Sequence, residues 1–391
     1  MAATTRHAGR PPLARLRAAL ATAQPRGLAA RPRWRVTWAA RAADALNSLR
    51  GDDAAARPGG AAWDLVPWTC VLLTTGVARA RPRRVAAAQL YPWLASLLLF
   101  GLPHGACDHL VLPRIARPPW TRRDDILFYL LYLAGCGLVL LLWVVSAPAG
   151  LLFFLALTIW HWGSADGVTL PGSAARYATG SLARGLIVVL APIALHPAVS
   201  MDAFAAILAL PLFGAAHAPW FADVLPRVAT TGAAIGVAAE LDGIARSVRR
   251  GEGRQAAKGT VELALLLGLF AAAPPVAAVG VYFVAWHAFR HVLRVGALLD
   301  ENAGAPAPSP ARRRPWWALV AHYHARALPL TAVSLAGLAG VALAVGRRDT
   351  GRLVAVYLVL LSALTLPHAA IVALWDYYLR AAPGQRGAIR K

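Results

Sequence analysis

Long apolar stretches recur almost without interruption between residues 63 and 378, and they restrict what this chain can fold into more than any other feature does. Of its 391 residues, 58% are hydrophobic and only 15% are charged. A soluble domain carries about 25% charged residues, so this composition is typical of a membrane protein. We therefore predict an all-α fold, a polytopic transmembrane helical bundle of about eight to ten helices.

The chain divides into three predicted parts. Residues 1–62 are rich in arginine, poor in acids and without a sustained apolar run, so we expect a disordered or surface-lying extension. Residues 63–380 form the transmembrane domain, and residues 381–391 form a basic tail. The predicted spans are 63–78, 85–103, 126–146, 149–165, 183–197, 202–220, 260–275, 276–297, 326–345 and 352–376. Charge and glycine interrupt segment 224–247, which we expect to be a helix that does not cross.

The net charge of +22 comes almost entirely from arginines in short clusters between apolar stretches. This distribution is typical of cytoplasmic loops that face anionic lipid, so we predict a multi-pass protein of the cell membrane and no nucleic-acid partner. A cytoplasmic N-terminus places five basic segments inside, namely 114–123, Arg176, 246–258, 312–314 and the C-terminal tail. The clusters at 79–84 and 347–348 then fall outside and disagree with the rule.

Ionisable side chains at membrane depth are costly, and they are therefore candidates for function. They gather in four places, at residues 102–109, 160–166, 286–291 and 366–376. All four lie in the C-terminal halves of predicted spans that run in the same direction across the membrane. We therefore expect them to converge near one face, the cytoplasmic one.

The histidines in these clusters favour a buried transition metal. His287 and His291 are four residues apart, so they lie on one face of a helix and can approach one ion. His104 and His109 are about 140° apart around a helix, so Asp108, four residues from His104, is the better partner for His104. Several histidines without a cysteine suit iron, copper or zinc better than calcium or magnesium.

The motifs that contain these residues resemble the bacteriorhodopsin-related-protein (Brp/Blh) family of membrane β-carotene 15,15′-dioxygenases. The resemblance spans roughly residues 90–376 and rests on residues 102–109, 161–166, 282–291 and 366–368. It implies a non-haem iron(II) enzyme that cleaves β-carotene with O2 at its central 15,15′ double bond and releases two retinal molecules. It also implies that the iron ligands, and hence the catalytic residues, are His104, His161, His287 and His291.

Further residues in these motifs are expected to support the site. The residues expected to orient the ligands without binding the metal themselves are Asp108, His109, Asp166, Arg290 and His368. The aromatic residues expected either to pack in the interior or to wall an apolar substrate tunnel are Trp160, Trp162, Trp286 and Phe289. The expected partners are β-carotene or a related carotenoid, O2, the lipid bilayer and a rhodopsin that accepts retinal.

Two other functions stay open at this point. A membrane di-iron desaturase or hydroxylase would use histidine spacings like those here, but the sequence has no paired-histidine box such as HxxHH. A membrane transporter or an opsin-assembly protein would use the histidines and acids to line an ion path. The desaturase predicts two metal ions per chain, whereas the transporter predicts no tightly bound transition metal.

Overall fold

The structure is a computed structural model that describes residues 58–115, 120–167, 173–210, 219–300, 314–344 and 350–381. Every regular element in these ranges is helical, which confirms the predicted all-α fold. Nearly all of the predicted N-terminal extension, and all of the predicted C-terminal tail except its first residue, lie outside the described residues.

The described ranges contain fourteen α-helices. They are α1 Ala62–Ala80, α2 Pro82–Ala87, α3 Tyr91–Leu98, α4 Asp108–Ile115, α5 Arg122–Val145, α6 Ala147–Gly167, α7 Ala174–Leu195, α8 Pro197–Leu208, α9 Pro219–Arg249, α10 Gly253–Ala272, α11 Pro275–Val281, α12 Phe289–Asp300, α13 Trp316–Ala344 and α14 Thr350–Ala381. A 3₁₀ turn, Pro103–Gly105, lies between α3 and α4, and a π-helical turn, Tyr282–Ala288, joins α11 to α12.

Nine helical stretches of the described chain are long and apolar enough to cross a membrane. They are Tyr91–Ile115, Arg122–Val145, Ala147–Asp166, Ala174–Leu195, Phe221–Arg249, Gly253–Ala272, Pro275–Asp300, Trp316–Leu343 and Thr350–Tyr378. The first includes the 3₁₀ turn and the seventh includes the π-helical turn. This number agrees with the eight to ten spans predicted, and the chain is a multi-pass membrane protein.

Individual spans differ from the prediction in three places. Predicted span 63–78 forms α1, which is helical but is not among the nine. Within predicted span 202–220, the described helix is α8, whose 12 residues are fewer than the ~20 that a crossing needs. Segment 224–247, predicted not to cross, lies in α9 and does belong to the nine. Its Glu240 is 2.6 Å from Arg184 of α7, and this partner offsets the charge that argues against a span.

Helices α6 and α7 cross so closely that only glycine fits at the contact. A Cβ atom on Gly163 would lie 1.9 Å from the carbonyl oxygen of Ser181, and one on Gly185 would lie 1.8 Å from that of Ile159. Small residues permit this kind of backbone approach between membrane helices. The crossing holds His161, two residues before Gly163, in the interior of the bundle.

The last helix, α14, is tied to the bundle by buried hydrogen bonds. The indole N–H of Trp143 in α5 donates to the hydroxyl of Ser362 at 2.8 Å. The hydroxyl groups of Tyr357 in α14 and Ser96 in α3 are also 2.8 Å apart. These contacts hold the part of α14 that carries His368 inside the protein.

Candidate metal centre

Five histidine rings lie together in the interior. They are His104, His161, His287, His291 and His368, and all five are buried. Centroids of neighbouring rings are 4.7 to 5.7 Å apart. The structure thus brings together the four histidines predicted as ligands, and it adds His368, which was predicted to act from behind them.

His368 occupies the middle of this cluster. Its ring centroid is 4.7 Å from that of His104 and 4.9 Å from those of His161 and His291. One ring nitrogen from each of His104, His161 and His368 lies within 4.8 Å of the other two. Single donor atoms of Asp108, His291 and His368 form a second group within the same limit. Separations of this size allow the side chains to surround one ion.

Several ring nitrogens in the cluster are buried without a hydrogen-bond partner. They are Nε2 of His161, His287, His291 and His368, together with Nδ1 of His287. Buried polar atoms in proteins are almost always hydrogen-bonded, so such a group of exceptions needs an explanation. Neutral imidazole nitrogen is the commonest protein ligand of transition metals, whereas calcium and magnesium prefer oxygen. The donors present therefore fit a transition metal.

His104 is held by the turn that carries it, and not by Asp108. Its Nδ1 is hydrogen-bonded to the carbonyl oxygen of Gly101, and the hydroxyl of Tyr323 in α13 lies 2.6 Å from the carbonyl oxygen of His104 itself. Because the turn is a 3₁₀ turn and α4 begins only at Asp108, the four-residue spacing does not put the two residues on one helical face. The partner predicted for Asp108 was therefore wrong. The carboxylate accepts a hydrogen bond from Nδ1 of His368 at 2.8 Å.

His287 and His291 enter the cluster from the seventh span. His287 lies in the π-helical turn, a conformation often found at functional sites, and His291 lies in the first turn of α12. Their ring centroids are 5.7 and 5.6 Å from that of His104. Both residues therefore face His104, as their spacing of four predicts. The ring of Trp162 packs against His287 on another side, at 5.5 Å.

Arg290 belongs to a buried network of ion pairs beside the cluster. Its guanidinium nitrogens lie 2.8 Å from Glu262, 3.0 Å from Asp64 and 3.3 Å from Asp166. Among the described residues the network has four carboxylates and three cations, namely Asp64, Asp166, Glu240, Glu262, Arg184, Lys258 and Arg290. It ties α1 to α6, α7, α9, α10 and α12. In the sequence, this ion-pair network is indicated by the charged residues that lie inside predicted spans 183–197 and 260–275.

Asp166 is connected to the histidine rings through aromatic side chains. It accepts hydrogen bonds from the Tyr282 hydroxyl at 3.3 Å and from the indole N–H of Trp286 at 3.2 Å. The ring of Tyr282 is 5.2 Å from that of Trp162, which in turn packs on His287. These contacts fix the aromatic layer behind His287.

A cavity of about 200 Å³ extends from the outer surface of the bundle to the cluster. His104, Asp108 and His368 line its inner end. Leu133 of α5 and Val333 of α13 line its outer end, and their side chains are 66% and 67% exposed. Because most of the lining is apolar, the cavity suits a hydrophobic molecule that arrives from lipid.

His109 lies on the wall of this cavity. It is half-buried, and its ring centroid is 6.1 Å from that of Tyr129 in α5. The structure therefore separates His109 from the five clustered rings.

The aromatic residues expected to wall a tunnel do not line this cavity. Trp286 is fully buried, and Asp166 binds its indole N–H. Phe289 and Trp162 are buried among other aromatic rings, whereas Trp160 is 39% exposed. Packing in the interior, the alternative given for these residues, describes Trp162, Trp286 and Phe289, and a role in a substrate tunnel stays a prediction.

Comparisons with known proteins support the resemblance of the motifs. A family model described as beta-carotene 15,15′-dioxygenase matches residues 95–376, which include all five clustered histidines. The "Probable beta-carotene 15,15′-dioxygenase Blh" of Halobacterium salinarum is 33% identical in an alignment of 329 residues that covers 80% of this chain and 90% of that protein. No solved structure matches the chain. The matched region and the identity together show that the chain belongs to the β-carotene 15,15′-dioxygenase family.

Proposed function

We propose that this protein cleaves β-carotene at its central 15,15′ double bond with O2 and releases two molecules of retinal. One carbon–carbon double bond is broken, and each new aldehyde takes one oxygen atom from O2, so no external reductant is needed. The observation that carries the proposal is the group of buried, unpartnered imidazole nitrogens at the inner end of an apolar cavity. Membership of the family supports the choice of substrate.

We infer that iron(II) is held by His104, His161, His287 and His291. Imidazole ligands suit zinc, copper and iron, but zinc has no redox chemistry. Bound iron would supply the one-electron chemistry that allows O2 to react with a polyene. The protein orients the His104 ring, since Nδ1 bonds the carbonyl oxygen of Gly101 and leaves Nε2 as the nitrogen that would bind the metal.

We propose that the carotenoid enters from the bilayer through the cavity between α5, α13 and α14. The exposed Leu133 and Val333 are at its mouth, and His104 is at its inner end. The volume of about 200 Å³ is below the ~300–1,000 Å³ of pockets that enclose a drug-sized ligand. We therefore expect the cavity to widen when the long polyene binds, through separation of α5 from α13. The apolar walls exclude water from the reacting double bond.

We infer that the histidines lie toward the cytoplasmic face of the cell membrane. They are carried by the first, third, seventh and ninth spans, which all run in one direction. Basic residues at 114–123, 246–258 and 312–314 are at the ends where odd-numbered spans finish, as the positive-inside rule requires of a cytoplasmic side. The predicted span lost at 202–220 and the span gained in α9 cancel, but the loss of predicted span 63–78 does not. With the histidines toward the cytoplasm, the first span therefore begins at the outer face, opposite to the cytoplasmic N-terminus that the sequence predicts.

We propose a rhodopsin in the same membrane as the acceptor of the product. Retinal is an apolar aldehyde that stays in the bilayer, and an opsin lysine forms a Schiff base with it. Transfer within the lipid would keep the reactive aldehyde away from water.

The test uses extracts of a β-carotene-accumulating bacterial host that expresses the parent chain or a variant. We expect retinal from the parent and none from His161→Ala or His287→Ala, with about one iron per purified parent chain. His196→Gln is the matched control, because His196 lies outside the cluster and its Nε2 bonds the carbonyl oxygen of Phe270 at 2.9 Å. This control should form retinal at the parent rate.

Three outcomes would contradict the proposal. A folded, iron-loaded parent that leaves β-carotene intact would remove the substrate assignment. Two irons per chain would favour the di-iron desaturase or hydroxylase. A parent that binds no transition metal would favour a transporter or opsin-assembly protein.

A further inference from the structure

We propose that His368 is a fifth imidazole ligand of the metal and that Asp108 holds it in place for this role. The inference rests on the proposed metal site and extends it beyond the four histidines that the motifs imply. His368 comes from α14, the last helix, so the site would draw ligands from the first, third, seventh and ninth spans.

The position of the ring is the first argument. His368 contacts three of the four other rings, at centroid distances of 4.7 to 4.9 Å, and these are among the shortest in the cluster. Its donor nitrogen lies within 4.8 Å of donors from both His104 and His161. An ion that these two residues bind would therefore also lie within reach of His368.

The hydrogen bonds of His368 are the second argument. Both carboxylate oxygens of Asp108 lie close to Nδ1 of His368, at 2.8 and 3.0 Å, so Nδ1 carries the proton that they accept. Nε2 is then unprotonated, and it is buried without a hydrogen-bond partner. A histidine that bonds a carboxylate through one nitrogen and a metal through the other is a common arrangement in metalloproteins.

Asp108 is itself held in place by its surroundings. It is the first residue of α4, where the helix dipole favours a negative charge. The hydroxyl of Tyr132 in α5 donates to the same carboxylate at 3.2 Å. The hydrogen bonds from Tyr132 to Asp108 and from His368 to Asp108 thus fix both the tautomer and the orientation of the His368 ring.

A supporting role without metal contact would give a different pattern. A histidine that supports the ligands without binding the metal would use Nε2, the nitrogen that faces the cluster, to hydrogen-bond the ring of a ligand. Asp108 supports His368 in this way through its carboxylate oxygens. No such bond is made by Nε2 of His368. The unpartnered nitrogen and the central position together assign His368 to the ligands.

The cavity provides a direct test, because His368 lines it and His161 does not. In His368→Gly, free imidazole can enter from the cavity and occupy the space of the missing ring. The purified protein in detergent is titrated with Co(II) as a spectroscopic probe, and the visible absorption of the bound ion is recorded with and without imidazole. Unfolding temperatures are measured in parallel.

We expect His368→Gly to bind Co(II) at least about tenfold more weakly than the parent and with a changed spectrum. Imidazole should restore both properties in His368→Gly, while it should leave the parent unchanged and restore His161→Gly far less. Asp108→Asn should retain the parent spectrum and bind about 10–100-fold more weakly, as expected for loss of an orienting carboxylate.

Parent affinity and parent spectrum in His368→Gly would overturn the assignment, and so would a changed spectrum that imidazole does not restore. If His368→Gly does not fold, His368→Gln is titrated instead. Parent-like Co(II) binding by this variant would overturn the assignment in the same way. A parent that binds no Co(II) would refute the proposed metal site itself, so the two failures are distinguishable.

Discussion

Gly163→Ala should disrupt the site although it changes no ligand. The new Cβ atom would lie 1.9 Å from the carbonyl oxygen of Ser181, whereas ordinary contact begins at 3.4 Å. Helices α6 and α7 must therefore separate by about 1.5 Å, the difference between these distances, or distort locally. Overpacking of this kind costs about 1–3 kcal/mol of folding stability.

The separation also displaces His161, which precedes Gly163 by two residues. Metal–ligand distances are expected to lie within about 0.2 Å of their standard values, and a misplacement of about 1 Å in an active site can lower the rate about 100-fold. We therefore expect Gly163→Ala to show a lower unfolding temperature, less bound metal and about 100-fold slower retinal formation. Thermal unfolding in detergent, metal analysis and a retinal assay measure the three effects.

Gly137→Ala in α5 is the matched control, because nothing lies within 4 Å of a Cβ atom at that position. It should behave as the parent in all three measurements. If Gly163→Ala and Gly137→Ala were indistinguishable, the close crossing of α6 and α7 would not be what positions His161.

Three further predictions concern the ion pairs, the cavity and the metal. Glu262→Gln should destabilise the fold by about 3–5 kcal/mol, since Glu262 lies within 4.0 Å of three buried cations, whereas Asp242→Asn in an exposed pair should leave the unfolding temperature unchanged. Equal unfolding temperatures for these two variants would contradict a structural role for the network. Leu133→Trp should narrow the cavity mouth and lower kcat/KM for β-carotene about tenfold, equivalent to ~1.4 kcal/mol, with unchanged metal content. Leu138→Trp, at an exposed position of the same helix that does not line the cavity, is its control, and an equal effect of both would argue against entry at this point. A strong chelator should abolish retinal formation and lower the unfolding temperature, and iron(II) but not zinc should restore activity. Restoration by zinc would exclude the redox role inferred for the metal.

Hydropathy predicted the class of fold well because the membrane imposes a simple requirement on each span. It failed for α9, because the charged residues of segment 224–247 argue against a membrane span when the sequence is considered alone. Glu240 pairs with Arg184 of another helix, and this neutralisation is visible only in three dimensions. It also differed for α1, which is helical but is not among the nine stretches whose length and composition suit a crossing.

Spacing predicted the relation of His287 to His291, since both lie on one continuous helical stretch. It could not predict the partner of Asp108, because the chain turns between His104 and Asp108 and leaves the regular helix. The contact of Asp108 with His368 joins residues 260 positions apart, for which sequence periodicity carries no information. The direction of the spans predicted that residues 366–376 approach the other clusters, but it could not predict the central position of His368 among the rings.

The five clustered histidines also determine the stage of synthesis at which the site can assemble. Asp108 is synthesised 260 residues before His368, and α14 is the last of the nine spans. While the ribosome is still making the chain, the early histidines are already in the membrane without the helix that closes the cluster. Full assembly therefore waits for insertion of the final helix, so a nascent or prematurely terminated chain cannot form the finished site.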